Sequence, residues 1–342
     1  MRKIAQVVRR YGPVGGMEKY VWELTRELAR RGHPVLVVCE RKMCEDFPGI
    51  TVHETGAIRQ RPRWLSLLRF SNRVEAYFAD HPGYLIHSHE RLGIHHVTTF
   101  HGPPFATIFE KPWHRRLSLR VWMQLWLEKR ELLSAALVVP NSPLIREMLG
   151  KYYPEAKQTD PVPPGVEPGK IRPGHPVPVN GGVVGFVGRE WKRKNLEMAL
   201  EIVARLSKRR PELKLLIYGP DPSEIDSLVS KRGFDLECRG WKDPDYAEMD
   251  LLLHPAKAEP YGMVVAEALA ARVPVVISDH CGIATYLDGD SGEVLGLGQG
   301  EEEWAQACER QLSREVFPAS FSRSWREVAD EYERIYLELE GS

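Results

Sequence analysis

Eight prolines fall between positions 154 and 178: Pro154, Pro161, Pro163, Pro164, Pro168, Pro173, Pro176 and Pro178. Neither a helix interior nor a central strand accepts that density, because each ring removes an amide donor and fixes φ. The stretch therefore reads as a linker, and one pattern runs on both sides of it. Before it, residues 4–8 form a short apolar run broken by Gly12-Pro13-Val14-Gly15-Gly16. Met17, Tyr20, Val21, Leu24 and Leu28 then recur at intervals of three and four up to Gly32, which is the period of an amphipathic helix. Residues 34–39, 85–87, 97–100 and 136–139 read as further strands. After the linker, strands at 183–187, 213–218, 251–254 and 274–278 alternate with helices at 195–209, 222–232 and 262–271. Such alternation builds parallel sheets.

The expectation is an α/β chain of two doubly wound domains, 1–165 and 166–320. A last helix over 321–342 presents Trp325, Val328, Tyr332, Ile335 and Tyr336 on one face and packs across to the first domain. Ligands bind such sheets at the carboxyl ends of the strands, so function is expected in a cleft that two facing domains share.

Composition narrows the class. Of 342 residues, 43% are hydrophobic and 27% charged, ordinary values for a folded globular chain and not for a disordered one. No apolar run approaches the ~18 residues that cross a bilayer, and residues 1–12 lack the apolar core of a secretory signal, so the expected compartment is the cytoplasm. Five scattered cysteines (Cys39, Cys44, Cys238, Cys281, Cys308) give no disulfide framework. Cys39 and Cys44 lack a second Cys or His pair to complete a zinc set, so no metal is expected. The net charge of zero is asymmetric: residues 1–165 hold 25 Lys and Arg against 16 Asp and Glu, and residues 166–342 hold 22 against 31. A basic first half suits an anionic polymer, lipid surface or phosphorylated acceptor, or simply attracts the acidic second half.

Two stretches of the second half carry chemistry. Gly188-Arg189 follows the strand at 183–187, and Lys194 comes five residues later at the start of a helix. A glycine turn, long cations and helix amides converging at a strand end make an anion site, though 191–194 is also a plain basic turn. The second is Glu259-Pro260-Tyr261-Gly262-Met263-Val264-Val265-Ala266-Glu267. A helix starting near Gly262 offers the amides of Gly262, Met263 and Val264 to a phosphate or a sugar hydroxyl, while Glu259 and Glu267 can accept paired hydrogen bonds from vicinal hydroxyls.

With these stretches, the Gly15-Gly16 loop, Thr99-Phe100-His101-Gly102 and Pro163-Pro164-Gly165-Val166, the chain resembles the retaining GT-B glycosyltransferases of family 4 over nearly its whole length. Leu251-Leu252-Leu253-His254-Pro255-Ala256 and Cys281-Gly282 look most like the branch that adds glucose to lipopolysaccharide core. The resemblance implies a GT-B fold and a metal-independent hexosyltransferase with no cofactor besides its donor substrate, a UDP-sugar. It also implies roles. Arg189 and Lys194 would neutralise the donor diphosphate beside Gly188, Glu267 would hold the ribose, and Glu259 with the amides of Gly262, Met263 and Val264 would grip the donor sugar. His101 would contact the transferred sugar, and Gly15-Gly16 would face the diphosphate and acceptor. The family often has Lys-Gly where this chain has Lys194-Asn195. The requirement is physical: cleavage of the sugar–phosphate bond builds negative charge on the leaving group, which preorganised cations and amides stabilise.

For the acceptor, Arg9 and Arg10 follow the first strand and can grip phosphate or merely be solvated. Residues 111–130 combine Lys111, Arg115, Arg116, Arg120, Lys129 and Arg130 with Trp113, Trp122 and Trp126. A basic aromatic segment of that kind suits peripheral contact with the inner leaflet of the cytoplasmic membrane, unless Trp122, Leu125 and Trp126 are core. The expected acceptor is an anionic, membrane-linked saccharide, with no nucleic-acid partner. The alternatives are a nucleotide-sugar epimerase of the same fold and a non-enzymatic protein that binds anionic glycans or lipids. A nicotinamide dehydrogenase is disfavoured because residues 12–16 lack the Gly-x-Gly-x-x-Gly order.

Overall fold

A computed structural model describes residues 3–167, 169–174, 176–315, 318 and 321–339. Pro168 of the linker and the last residues of the final helix's expected range, 340–342, lie outside them. The first unit runs through β1 (Ile4–Tyr11), α1 (Gly16–Arg30), β2 (Val35–Lys42), β3 (Ile50–Glu54), α2 (Arg63–Asp80), β4 (Leu85–Ser88), β5 (Val97–Phe100), α3 (Leu119–Ser134), β6 (Leu137–Pro140) and α4 (Pro143–Tyr152). The second holds β7 (Gly181–Val187), α5 (Trp191–Lys194), α6 (Leu196–Leu206), β8 (Glu212–Tyr218), α7 (Pro222–Val229), β9 (Asp235–Gly240), β10 (Leu251–His254), α8 (Met263–Ala270), β11 (Val275–Ser278), β12 (Gly292–Leu295) and α9 (Glu301–Leu312). Helix α10 (Trp325–Glu338) closes the chain and belongs to the first unit, which comprises Met1–Gly165 and Arg323–Ser342; the second unit is Val166–Ser322.

Each unit is built on a six-stranded sheet among the described residues, ordered β3-β2-β1-β4-β5-β6 in the first and β12-β11-β10-β7-β8-β9 in the second. All pairings are parallel. Counted from its own first strand, the second sheet repeats the order of the first. In both, the chain starts in the middle, winds to one edge, returns and winds to the other. The switch falls between β1 and β4 in one sheet and between β7 and β10 in the other, and in open α/β sheets the crevice at the carboxyl ends of those strands is where ligands sit.

The central strands are apolar on both faces because helices cover both: Ile4, Ala5, Val7 and Val8 of β1 and Leu251, Leu252 and Leu253 of β10 are fully buried or nearly so. Three strands that the sequence did not announce, β3, β9 and β12, all lie at sheet edges. Each pairs on one side only and carries charged or half-exposed side chains, so no apolar run marks it.

α10 docks through one stripe. Trp325, Val328, Ala329, Tyr332, Ile335 and Tyr336 are buried and pack with Tyr20, Leu24 and Leu28 of α1 and with the first sheet. A capping box between Ser324 and Glu327 starts the helix, satisfying amides that have no partner within it. Arg31 grips its outer face through Asp330 and Glu333, each at 2.7 Å. Gly165 of the Pro163-Pro164-Gly165-Val166 motif is required there, since a Cβ would stand 2.8 Å from the Trp325 amide nitrogen. Among the described residues no helix is long and apolar enough to cross a membrane.

Candidate functional site

In the second unit the carboxyl ends of β7 and β10 assemble a cluster of charge. β7 is followed by Gly188, where a φ of +155° and a distance of 2.8 Å from a would-be Cβ to Lys194 Cγ exclude a side chain. The chain makes one short helical turn, α5, and bends into α6 at Asn195, which adopts the left-handed conformation (φ 63°, ψ 48°). Asn is one of the few residues besides Gly that visit this region, so Lys194-Asn195 makes the bend that Lys-Gly would make. That bend delivers the buried Lys194 ammonium to Glu259 Oε2.

Glu259 is set from the other side by the loop after β11. Its amide donates to the His280 carbonyl at 2.9 Å and its carbonyl accepts from Gly282 at 2.9 Å. Gly262, with φ +113°, then turns the chain into α8; a Cβ there would meet Cys281 Sγ at 2.6 Å. Arg193 Nη1 reaches the Ala258 carbonyl at 2.5 Å and Glu259 Oε2 at 3.1 Å, and His254 Nε2 lies 3.5 Å from the same oxygen. Burial alone would raise the Glu259 carboxyl, but Lys194, His254 and Arg193 outweigh it and hold the group ionised well below the usual carboxylate range. Burial, with Lys194 adding to it, pushes His254 down to about 4, so that imidazole is neutral near pH 7.

Met263 and Val264 are partly exposed in the first turn of α8. Glu267, further along that helix, accepts from the Tyr246 hydroxyl at 2.7 Å. Arg189 stands apart from the cluster: it is exposed and its guanidinium lies over the ring of Trp241, just beyond β9. The cation that joins Lys194 at Glu259 is Arg193, hidden in the sequence within a basic run, and the sequence offered His254 only as a residue of a matching stretch. A histidine ending an otherwise apolar strand was the readable signal.

In the first unit the end of β5 and the segments that follow β4 and β5 wall a cavity of about 290 Å³. His89, Glu90, Arg91 and His101 line it, together with Arg63 from α2 and Arg120 from α3. Burial raises Glu90 to about 7 and Glu131, also on the wall, to about 8, the latter against the pull of Arg91. Burial lowers His101 to about 3.

Arg9 and Arg10 are engaged elsewhere. Arg9 Nε and Nη2 hold Glu40 at 2.8 and 2.6 Å and Nη2 reaches Gln60 and Ser66, while Arg10 Nε holds Glu18 at 2.9 Å. An acceptor phosphate would have to displace those carboxylates. Arg63 and Arg120 have no ion-pair partner among the described residues and are the available cations of this pocket. Gly15 caps α1 in extended conformation, where a Cβ would collide with the Glu18 carboxylate, whereas Gly16 has open space. In α3, Leu125 is buried at 9% exposure, but Trp122 and Trp126 are 57% and 49% exposed and Trp113, before the helix, 69%. The tryptophans therefore face outward, while Leu125 joins the core with Val121 and Leu132.

Comparison with known proteins agrees with this architecture. Residues 14–170 match Glycosyltransferase Family 4 and residues 181–314 match Glycosyl transferases group 1. A D-inositol 3-phosphate glycosyltransferase of Stackebrandtia nassauensis is 27% identical over 87% of this chain and 79% of its own. The lipopolysaccharide glucosyltransferase WaaG of Escherichia coli is 29% identical over 42% of this chain and 41% of its own. The WaaG crystal structure superposes with a TM-score of 0.78 at 20% identity, covering 98% of this chain and 95% of that one. Sucrose-phosphate synthase of Thermosynechococcus elongatus gives 0.79 at 22%, covering both chains completely. The chain is a glycosyltransferase of the GT-B fold. Its resemblance to the lipopolysaccharide branch is one of two, and the inositol phosphate enzymes match over the longer stretch.

Two outcomes follow for stability. Asn195→Val places a β-branched residue in the left-handed region and should cost about 1–2 kcal/mol, whereas Asn195→Gly should cost nothing or stabilise; urea unfolding of both variants checks the pair. In the first unit His87, His89, His95 and His101 are held neutral with lowered pKa values, against two carboxyls, Glu90 and Glu131, with raised ones. Between pH ~6.5 and ~4.5 the unfolded chain gains four imidazole protons that the native unit refuses, while the native unit keeps two carboxyl protons that the unfolded chain loses. The unfolded state binds more protons, so stability falls as pH falls through this window. Urea midpoints measured from pH 6.5 to 4.5 should decline steadily.

Proposed function

We propose that the protein transfers a hexose, with retention of anomeric configuration, from a nucleoside diphosphate sugar to a hydroxyl of an anionic acceptor. The carrying observation is the Lys194–Glu259 pair, with Arg193 and His254 around it, at the start of α8. A buried ion pair returns little net stability after desolvation, so a role in ligand binding accounts for it better. In this reading the Lys194 ammonium is shared with the donor diphosphate, where it and Arg193 offset charge building on the leaving group. Arg189, exposed and over the ring of Trp241, would serve the donor diphosphate only after leaving that ring. Glu259, fixed as an anion, can accept hydrogen bonds from sugar hydroxyls but cannot give a proton. Glu267 would take the ribose hydroxyls beside Tyr246. His101 would meet a hydroxyl of the transferred sugar. UDP and glucose are the donor parts this reading favours, with no metal required because cations of the chain meet the phosphates.

Arg63 and Arg120 give the acceptor pocket its positive charge. Two anionic acceptors suit it. The longer relatives are named for inositol 3-phosphate, a small phosphorylated polyol. The outward row of Trp113, Trp122 and Trp126 among Arg115, Arg116 and Lys129 favours a lipid-linked saccharide on an anionic leaflet, where amphipathic rings and cations anchor together. The exposed tryptophans are the specific observation on that side.

A panel of nucleotide sugars, each offered with inositol phosphates or with lipid-linked core oligosaccharides, tests the assignment. Turnover with any acceptor, and none with donor alone, separates a transferase from an epimerase. Lys194→Ala should lower kcat by about 10²–10³; an unchanged rate removes that residue from the chemistry. Arg63→Ala and Arg120→Ala should raise the KM for a phosphorylated acceptor and leave UDP affinity unchanged. Sedimentation with vesicles containing anionic lipid should weaken when Trp122 and Trp126 are replaced by serine if the acceptor is membrane-linked.

A further inference from the structure

The core of the first unit contains a chain of polar side chains that ends on a group able only to accept. Its fixed end is a backbone carbonyl, Val162 C=O, which accepts from the Tyr20 hydroxyl at 3.1 Å. A hydroxyl has one proton, so the Tyr20 oxygen must accept from Tyr332 of α10 at 2.8 Å. By the same count Tyr332 accepts from Thr99 Oγ1 at 2.6 Å, and Thr99 accepts from His87 Nε2 at 2.7 Å. His87, fully buried and neutral, thus carries its proton on Nε2 and leaves Nδ1 bare.

That bare nitrogen faces the Tyr336 hydroxyl at 2.7 Å and Gln6 Nε2 at 3.2 Å, and Gln6 Nε2 also lies 3.2 Å from Tyr336 Oη. The NH2 side of the Gln6 amide therefore faces His87 and Tyr336, since its oxygen there would oppose a lone pair. Its Oε1 then faces His89 and accepts from His89 Nε2 at 2.9 Å. A neutral His89 protonated on Nε2 has a bare Nδ1, which accepts from His101 Nε2 at 2.8 Å. His101 is left with its proton on Nε2 and an unprotonated Nδ1 that has no hydrogen-bond partner among the described residues. His101 lines the 290 Å³ cavity.

We infer that the chain from Val162 through Tyr20, Tyr332, Thr99, His87, Gln6 and His89 fixes the tautomer of His101, so that this residue meets its ligand as a hydrogen-bond acceptor and takes the hydrogen bond of a ligand hydroxyl. Gln6 and His89 are positioning residues for His101, and α10 takes part through Tyr332 and Tyr336. The opposite direction would turn the Tyr20 hydroxyl proton to Tyr332 and leave the Val162 carbonyl facing a lone pair at 3.1 Å, with that hydrogen bond lost. Burial keeps the imidazoles neutral, so none can ease the constraint by taking a second proton. A residue that donated at this place would favour a ligand carbonyl or phosphate oxygen; an acceptor selects a hydroxyl. The inference rests on the reading that His101 touches the transferred sugar only for its effect on turnover, not for the tautomer itself.

Two-bond proton–nitrogen correlation spectra of the full-length protein labelled with ¹⁵N-histidine, recorded near pH 7, read the tautomers directly. His101→Asn assigns the His101 signals by their loss. His101, His89 and His87 are each expected as the Nε2-protonated form. A His101 signal with protonated Nδ1, or one averaged between tautomers, overturns the inference. Gln6→Met breaks the chain in the middle and Thr99→Val breaks it near its fixed end with almost no change of shape; either one that folds suffices. Each is expected to move His101 toward tautomer averaging and to lower kcat roughly tenfold, the scale of one misdirected hydrogen bond, with UDP affinity unchanged. His101 signals identical to those of the parent protein in the folded variant also overturn it. A shifted tautomer with an unchanged transfer rate upholds the tautomer control and removes His101 from contact with the sugar.

Discussion

A parallel strand cannot be joined to its neighbour by a hairpin. Each crossover carries a helix over one face of the sheet, and where the winding reverses, two neighbouring strands send their following segments in opposite directions. Both clusters of charged and titratable groups described above stand at those two reversals. Between β7 and β10 the segments that diverge carry Lys194 and Glu259, and the bend at Asn195 and the turn at Gly262 bring them back together. Between β1 and β4, with β5 alongside, the diverging segments open the cavity walled by Glu90, His101, Arg63 and Arg120. Short apolar strands with short loops leave few other places where charged groups from distant parts of the chain can meet.

The two sites solve opposite electrostatic problems. Glu259 is buried and kept charged because three nitrogen-bearing side chains crowd its oxygens. In the first unit, burial acts with much less compensation. Imidazoles are kept neutral, and Glu90 and Glu131 are pushed toward their protonated forms. A charged carboxylate at the start of a helix suits a site that receives sugar hydroxyls next to phosphates. A neutral, directed set of imidazoles suits a site that must recognise hydroxyls without attracting stray ions. Because each link of the Tyr20 to His101 chain commits the next, the orientation of one buried carbonyl reaches a side chain on the cavity wall.

Much of the fold was legible because its carriers are local. The apolar runs of β1, β7, β8, β10 and β11 and the three-and-four spacing of α1 and α10 are properties of neighbouring residues. The edge strands β3, β9 and β12 were not legible, since a strand paired on one side carries polar residues like those of a loop. The helix expected over residues 195–209 is α6 (Leu196–Leu206), and the short turn α5 before it was not expected; Asn195 turns left-handed between the two. At the second-unit site, Lys194, Glu259 and Gly262 could be picked out by their settings. Arg193 could not be told from Lys192 in a run of basic residues, and Arg189 gave no sign that its partner would be Trp241. Arg9 and Arg10 looked available because sequence does not show that Glu40 and Glu18 would fold against them.

By itself the sequence determined the two α/β halves and the helix stripe that docks α10, both of which follow from hydrophobic period and from glycine and proline placement. Tertiary structure alone decided which cations remain available, which carboxyls stay charged and which nitrogen of His101 bears the proton. Those depend on burial and on partners tens to hundreds of residues away, and both a pKa and a tautomer are set by the surroundings of a group, which a one-dimensional string does not specify.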